Sequence, residues 1–223
     1  MASSSSSDPS ALRREHMVEG QLRTCDVTDR AILAAFAEIA RERFVEPAFS
    51  SLAYHDGAVP ALRGGGRLLL APTTLARLIQ AAGPRAGERA LDVAGGSGYG
   101  AAVLARLGLR VVALETAKAA EGAKSLLSDE KTIEIVVGDL QSGAAARAPF
   151  DLILIHGAFE TSPDHLIDQL AQGGRLVGVE ASFPAPKAVL IERVVGSAVS
   201  RRTLFDASAP ALEEFRRRPQ FAF

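Results

Sequence analysis

The chain has 223 residues, 48% apolar and 23% charged, which is the composition of a globular protein with enough chain for one large domain. Its 25 basic and 26 acidic side chains leave a net charge of −1, which argues against a general nucleic-acid surface, and its apolar runs fall well short of the ~20 residues of a membrane span. A single cysteine, Cys25, forms no internal disulfide and no cysteine-based zinc site, and His16, His55, His156 and His165 are scattered without metal-ligand spacing.

The opening MASSSSSDPS has neither the basic start nor the apolar core of a secretory leader. It reads as a disordered tail over residues 1–10, and the chain is expected in the cytoplasm. Asp8 or Ser10 is placed to cap a helix running from Ala11 to Leu22, with Leu12, Met17, Val18 and Leu22 on its buried side. Thr28-Asp29 precede a second helix over 31–40, where Ile32, Leu33, Phe36 and Ile39 recur at helical spacing. Residues 41–67 read as irregular, with Gly64-Gly65-Gly66 as a turn. Pro72-Thr73-Thr74 open a third helix that Gly83-Pro84 close.

Short β-branched runs then alternate with helical ones. Strands are predicted at 90–94, 110–115, 133–137, 151–156 and 175–180, and helices at 99–107, 117–128 and 163–171. This alternation predicts an α/β fold, Rossmann-like, with a mostly parallel sheet covered by helices on both faces. The stretches 188–196 and 198–207 meet at Gly196-Ser197, too short a link for a parallel crossover, so a C-terminal antiparallel hairpin is expected. Phe205, Phe215, Phe221 and Phe223 read as packing anchors, and Arg216-Arg217-Arg218 as a solvated basic run.

The densest chemical signal is Leu91-Asp-Val-Ala-Gly-Gly-Ser-Gly-Tyr99, a strand, a glycine turn and a helix start. Glycine lets the backbone approach a ligand, and the new helix offers unpaired N–H groups to it. Gly96 to Ala101 fits G-x-G-x-x-A, which serves NAD and S-adenosyl-L-methionine alike. Asp92 decides between them: a carboxylate there repels a pyrophosphate and suits the cationic end of S-adenosyl-L-methionine. Glu115 ends the next strand, where it would take ribose hydroxyls, and Asp139 ends the third, beside the adenine. Alone, each acid is a solvated strand end; three on successive strands point to one ligand.

The chain resembles the protein-L-isoaspartate O-methyltransferase family. Met17-Val-Glu-Gly-Gln-Leu22 resembles its opening helix, Asp29-Arg-Ala-Ile-Leu33 and Arg41-Glu-Arg-Phe-Val45 its R-x-x-F-V segment, and Ala53-Tyr-His-Asp56 its A-Y-x-D. Residues 91–99 resemble the cofactor loop, Gly138-Asp139 with Gly143 the G-D-G-x-x-G run, and Gly173-Gly-Arg-Leu-Val177 the approach to the fifth strand. The resemblance implies a class I methyltransferase. It would have an N-terminal helical cap over 11–83 and an S-adenosylmethionine-binding domain over 84–223, packed as one unit. It further implies methyl transfer to isoaspartyl carboxylates of damaged proteins, a repair reaction, with no nucleic-acid or membrane partner. Asp92, Ala94, Gly95, Gly96, Ser97, Gly98, Glu115, Asp139 and Leu140 would bind the cofactor.

The chain departs from the family at several positions. The T-I-S-x-P motif stands as Leu68-Leu-Leu-Ala-Pro72, so Leu70 replaces the serine; Ala94 and Leu140 replace glycines. Leu70, Pro72 and Thr74 are candidate substrate contacts, and Thr73 a replacement hydroxyl as well as a plain helix cap. His156, ending the fourth strand, is either a strand-end histidine or a general base for a small-molecule acceptor. Leu70 also leaves open a binder of S-adenosylmethionine that has lost turnover.

Overall fold

The structure, a computed structural model, describes residues 8–181, 185–194 and 198–217. Asp8 accepts the Ser10 N–H and starts α1 at Pro9–Met17, so the helix begins two residues before Ala11. The helical path does not run regularly to Leu22. Val18–Leu22, which contains Gly20, is a π-turn, and Arg23–Cys25 is a 3₁₀ turn. Asp29 caps α2 (Arg30–Glu38) through the Ala31 and Ile32 amides.

The stretch read as irregular holds two 3₁₀ turns, Arg41–Phe44 and Pro47–Leu52, and a small antiparallel pair, β1 (Val59–Pro60) and β2 (Leu68–Leu69). The Gly64–Gly66 turn joins the pair, with Gly65 and Gly66 at φ +60° and +104°. Helix α3 (Pro72–Ala82) ends at Gly83, whose left-handed φ of +55° lets its N–H reach the Ile79 and Gln80 carbonyls.

Next come β3 (Arg89–Val93), α4 (Tyr99–Arg106), β4 (Arg110–Glu115), α5 (Ala120–Leu127), β5 (Ile133–Val137) and β6 (Phe150–Phe159). They are followed by α6 (Asp164–Asp168), β7 (Leu170–Glu180), β8 (Lys187–Arg193) and β9 (Val199–Asp206). Helix α6 is shorter than the expected 163–171 because β7 already begins at Leu170. The seven strands lie in the order β5-β4-β3-β6-β7-β8-β9. β3 to β7 are parallel, while β8 is antiparallel to both its neighbours. The last two strands therefore pair as expected, although Gly196-Ser197 themselves lie outside the described residues.

Alternation along the strands sends side chains to two faces. Ala90, Leu152, Leu154, Val177 and Leu190 share one apolar core with Met17, Phe36, Phe44, Leu70, Leu78 and Tyr99, so the N-terminal elements, α3 and α4 cover that face. Leu91, Val93, Ile153, Ile155 and Leu176 face the other side, against Leu140, Leu166, Leu212 and Phe215. Phe215 is thus a packing anchor, Phe205 is partly buried under Arg77, and Phe221, Phe223 and Arg218 lie outside the described residues. No described helix is long and apolar enough to cross a membrane.

Two buried arginines tie the faces together. Arg175 donates to the Ala82, Gly83 and Asp151 carbonyls and to Glu88, fixing the far end of α3 to the start of the sheet. Arg41, fully buried, donates to Ala53 O (2.8 Å) and Leu70 O (2.7 Å) and lies 4.8 Å from the Tyr99 ring centre. Burial pulls its pKa down from the ordinary arginine value. The N-terminus of α3 consequently lies at the carboxyl edge of the sheet, where ligands bind in open α/β sheets.

Candidate functional site

Asp92 lies one residue before the end of β3, Glu115 ends β4, and Asp139 lies in the loop two residues past β5, and the three do not face the same way. Asp92 is 1% exposed; its Oδ1 lies 2.5 Å from His156 Nε2, and its Oδ2 is buried without a partner. The histidine is aimed there by an irregularity in β6. Register to β7 shifts between Leu154 and Ala158, and His156 falls inside that shift. The ring packs so closely over Gly100 that a Cβ at that position would collide with it.

The turn after Asp92 is a chain of left-handed residues: Ala94 at φ +62°, Gly96 at +62° and Gly98 at +88°. All of residues 94–98 are buried. A Cβ at Gly96 would come 2.9 Å from Ala61 Cβ and 3.1 Å from Arg67 Cβ, so the Ala61–Arg67 loop lies directly over the turn. Ser97 donates to the Phe44 carbonyl at 2.6 Å and thereby fastens the turn to the N-terminal elements.

Glu115 is 3% exposed and bonded through both oxygens. Its Oε1 accepts the Gly96 N–H (2.9 Å), its Oε2 the Thr116 N–H (2.9 Å), and Arg67 Nε reaches both at 3.2 and 3.3 Å. Burial pushes the Glu115 carboxyl above its ordinary pKa, with Arg67 and the two amides opposing. The other end of the Arg67 guanidinium grips Glu214, with NH2 to Oε1 at 2.6 Å and NH1 to Oε2 at 3.1 Å. Asp139 is exposed and turned onto its own loop, accepting from Ser142 Oγ and the Ser142 and Gln141 amides. The Ser142 hydroxyl is the main cause of its lowered pKa. Leu140 beside it is fully buried.

On the acceptor side, Leu70 is 1% exposed and packs in the core. The Thr73 hydroxyl donates to Asp56 Oδ1 (2.6 Å), which also receives the Thr73 N–H at 3.2 Å. Asp56 of the A-Y-x-D run thus caps α3 from across the cleft. Thr74, with Asp56, Thr73, Arg77 and Phe205, lines an open cleft beside that helix start. The structure therefore brings Asp92, His156 and residues 94–98 together at one edge, with Glu115 next to them. It sets Thr73 and Thr74 along a separate opening.

Arg67, Glu214 and Arg41 were not singled out by the sequence as parts of this site. Arg41 had a weak signal, being the first residue of R-x-x-F-V. Arg67 and Glu214 had none, being surface-type charges in stretches without periodicity.

The donor set suits a ligand with a cationic end, sugar hydroxyls and an apolar ring: a partnerless buried carboxylate oxygen, a glycine turn leading into a helix, a second carboxylate and an apolar wall. The space bounded by Asp92, Gly95, Gly96, Glu115, Ala123 and Ile135 is too narrow to admit even a water molecule. The groups fit, and the crevice has to open to admit such a ligand.

This sheet order and acid–glycine turn define a Rossmann-like methyltransferase fold. A sequence profile of the family described as protein-L-isoaspartate(D-aspartate) O-methyltransferase matches residues 12–183. The chain belongs to that family. It is 43% identical over 166 residues to a protein-L-isoaspartate O-methyltransferase of Methylorubrum populi, covering 74% of this chain and 77% of that protein. It is 40% identical over 179 residues to one of Aeropyrum pernix, covering 76% and 67%. A solved structure named protein-L-isoaspartate O-methyltransferase superposes with a TM-score of 0.77 at 25% identity, covering 89% of this chain and 65% of that one. Another, from Plasmodium falciparum and in complex with S-adenosyl-L-homocysteine, superposes with a TM-score of 0.73 at 19% identity, over 93% and 100%.

Proposed function

We propose that the chain is an S-adenosyl-L-methionine-dependent O-methyltransferase that methylates the carboxylate of isoaspartyl residues in damaged cytoplasmic proteins. The observation that carries this reading is the family match itself, whose span of residues 12–183 takes in the N-terminal elements, the α3 start and the glycine turn. S-adenosyl-L-methionine supplies an electrophilic methyl group and leaves as S-adenosyl-L-homocysteine. Asp92 holds the cationic amino-acid end through its free oxygen, and residues 94–98 face it with their backbone. Glu115 takes the ribose hydroxyls, while Asp139 and Leu140 line the adenine.

The acceptor carboxylate is ionised at neutral pH and needs no general base. The chain's residues therefore have to align it and exclude water. Leu70, at the position where the family motif has a hydroxyl, is buried in the core and supports the approach to α3 by packing. Pro72 sets the start of α3, where the Thr73 amide is taken by Asp56 and the Leu75 amide by Ala71 O, so Thr74 is the residue of that turn that offers donors to an anion. Thr73 acts through Asp56, which it fixes. His156 is bonded to Asp92 and orients that carboxylate. The methyl ester so formed can expel methoxide where the carboxylate could only expel oxide, so the nitrogen of the following backbone amide attacks the ester carbonyl, methanol leaves with the amide proton, and a succinimide forms.

The test is to incubate purified protein with labelled S-adenosyl-L-methionine and an isoaspartyl peptide beside its aspartyl twin. Label in the isoaspartyl peptide alone is the expected result. Equal label in both, or none in either while S-adenosyl-L-homocysteine binds, would overturn the acceptor assignment.

A further inference from the structure

The C-terminal segment after β9 does not leave the molecule. It runs back along the carboxyl edge of the sheet, beyond the residues that the family profile matches. Pro210 O accepts the Ala158 N–H (2.7 Å), Leu212 N–H donates to Ala158 O (3.0 Å), and Phe215 O accepts the Glu160 and Thr161 amides at 2.9 and 3.1 Å. Leu212 and Phe215 are buried against Leu91, Val93, Ala94 and Leu140, the residues around the glycine turn. This path delivers Glu214 to Arg67, and Arg67 to Glu115.

Both oxygens of the ribose carboxylate are thereby engaged. A carboxylate has about four acceptor sites; the Gly96 and Thr116 amides fill two, and the single Arg67 Nε–H is shared between the two oxygens. Sugar hydroxyls therefore compete with Arg67 for Glu115. The loop carrying Arg67 is joined to β1 through Gly64-Gly65-Gly66, with Gly65 and Gly66 at positive φ and space open beside Gly66. Glu214, 26% exposed, forms the outer half of the clasp, where solvent and salt reach it.

We propose that Arg67 and Glu214 form a latch. It holds the C-terminal segment and the Ala61–Arg67 loop closed over the nucleotide crevice, and it opens when the ligand takes Glu115. The latch rests on the reading that this crevice binds S-adenosyl-L-methionine. It makes the binding-competent form a minority of the free protein, so the apparent affinity is reduced by the open fraction.

The experiment compares full-length wild type with Glu214→Gln, by calorimetric titration with S-adenosyl-L-homocysteine and by hydrogen exchange of the ligand-free proteins. Glu214→Gln should bind about three- to tenfold more tightly, since weakening the closed form raises the open fraction. Its residues 61–67 and 207–217 should exchange faster than in wild type. Added NaCl should tighten binding to wild type and leave the variant nearly unchanged. Equal affinity with unchanged exchange in those two segments, or weaker binding by the variant, overturns the latch. If neither protein binds S-adenosyl-L-homocysteine, the cofactor reading fails instead, and faster exchange in the variant still decides whether the clasp holds the two segments together.

Discussion

Replacing Leu70 with serine puts at the α3 approach the hydroxyl that the family resemblance leads one to expect there, and the structure says what this costs. Leu70 is 1% exposed within the core that also holds Tyr99 and Leu154. Shortening a buried leucine to alanine removes about 2–5 kcal/mol, and a buried hydroxyl without a partner adds roughly 1–3 kcal/mol more. Leu70→Ser should therefore lose about 3–5 kcal/mol overall, because partial relaxation offsets part of the sum. At ~2–4 °C per kcal/mol for a chain of this size, the thermal midpoint should fall by roughly 6–20 °C. Against that, one neutral hydrogen bond to the acceptor is worth about 0.5–1.5 kcal/mol, or roughly two- to tenfold in turnover. The two effects separate when urea unfolding is read beside methylation of an isoaspartyl peptide well below the midpoint. Leu70→Ala serves as the cavity control. Leu70→Ser should match Leu70→Ala or fall below it in stability, and exceed it in turnover per folded molecule. An unfolding free energy within about 0.5 kcal/mol of wild type would refute the packing role. Equal turnover in the two variants would refute the hydroxyl's role.

Asp92→Asn keeps the shape of the side chain and removes its charge, so S-adenosyl-L-homocysteine affinity by calorimetry should fall about ten- to a hundredfold; unchanged affinity would remove Asp92 from the ligand. Gly98→Ala places a Cβ at φ +88° against Leu127 Cδ1, and chemical unfolding should show a loss of about 2–4 kcal/mol. Arg175→Met strands the Ala82, Gly83 and Asp151 carbonyls and the Glu88 carboxylate, a loss of about 3–5 kcal/mol by the same measurement. Burial pushes the Glu88 carboxyl up, but Arg175 and the Arg85 amide outweigh it and hold it below its ordinary value. Its contribution is thus present above the unfolded value and fades as pH falls through the folded one. Stability followed against pH should lose part of its acid limb in Glu88→Gln, and an identical limb would show that the pair contributes nothing.

Much of the sheet was legible because its signals are local. Ala90, Leu91 and Val93 are buried on opposite faces of one strand, and the sequence shows that as an apolar run between turn residues. The start of α3 and its end at Gly83 follow from proline and glycine chemistry within a few residues. The stretch 41–67 was not legible because its order is imposed from afar. Arg41 is bonded to Ala53 and Leu70, Gln21 to Tyr54, and Glu46 to the Arg63 amide. The length of α6 was misjudged for a related reason. Gln169 ends the helix by turning its side chain to Ser142 O and the Ala144 amide, partners that no periodicity reveals.

The same distinction divides the site. Asp92, the glycine turn and Glu115 stand at strand ends, where chain geometry alone places a ligand crevice. Their partners are another matter. His156 reaches Asp92 across 64 residues, Arg67 reaches Glu115 across 48, and Glu214 reaches Arg67 across 147. A sequence reading finds the groups a ligand would use and misses those already using them. That difference bears on the proposed function, because Glu115, the carboxylate assigned there to the ribose, already accepts from two amides and from Arg67. On the proposed latch, ligand affinity is set by a competition between two ion pairs and the ligand, and not by the crevice residues alone.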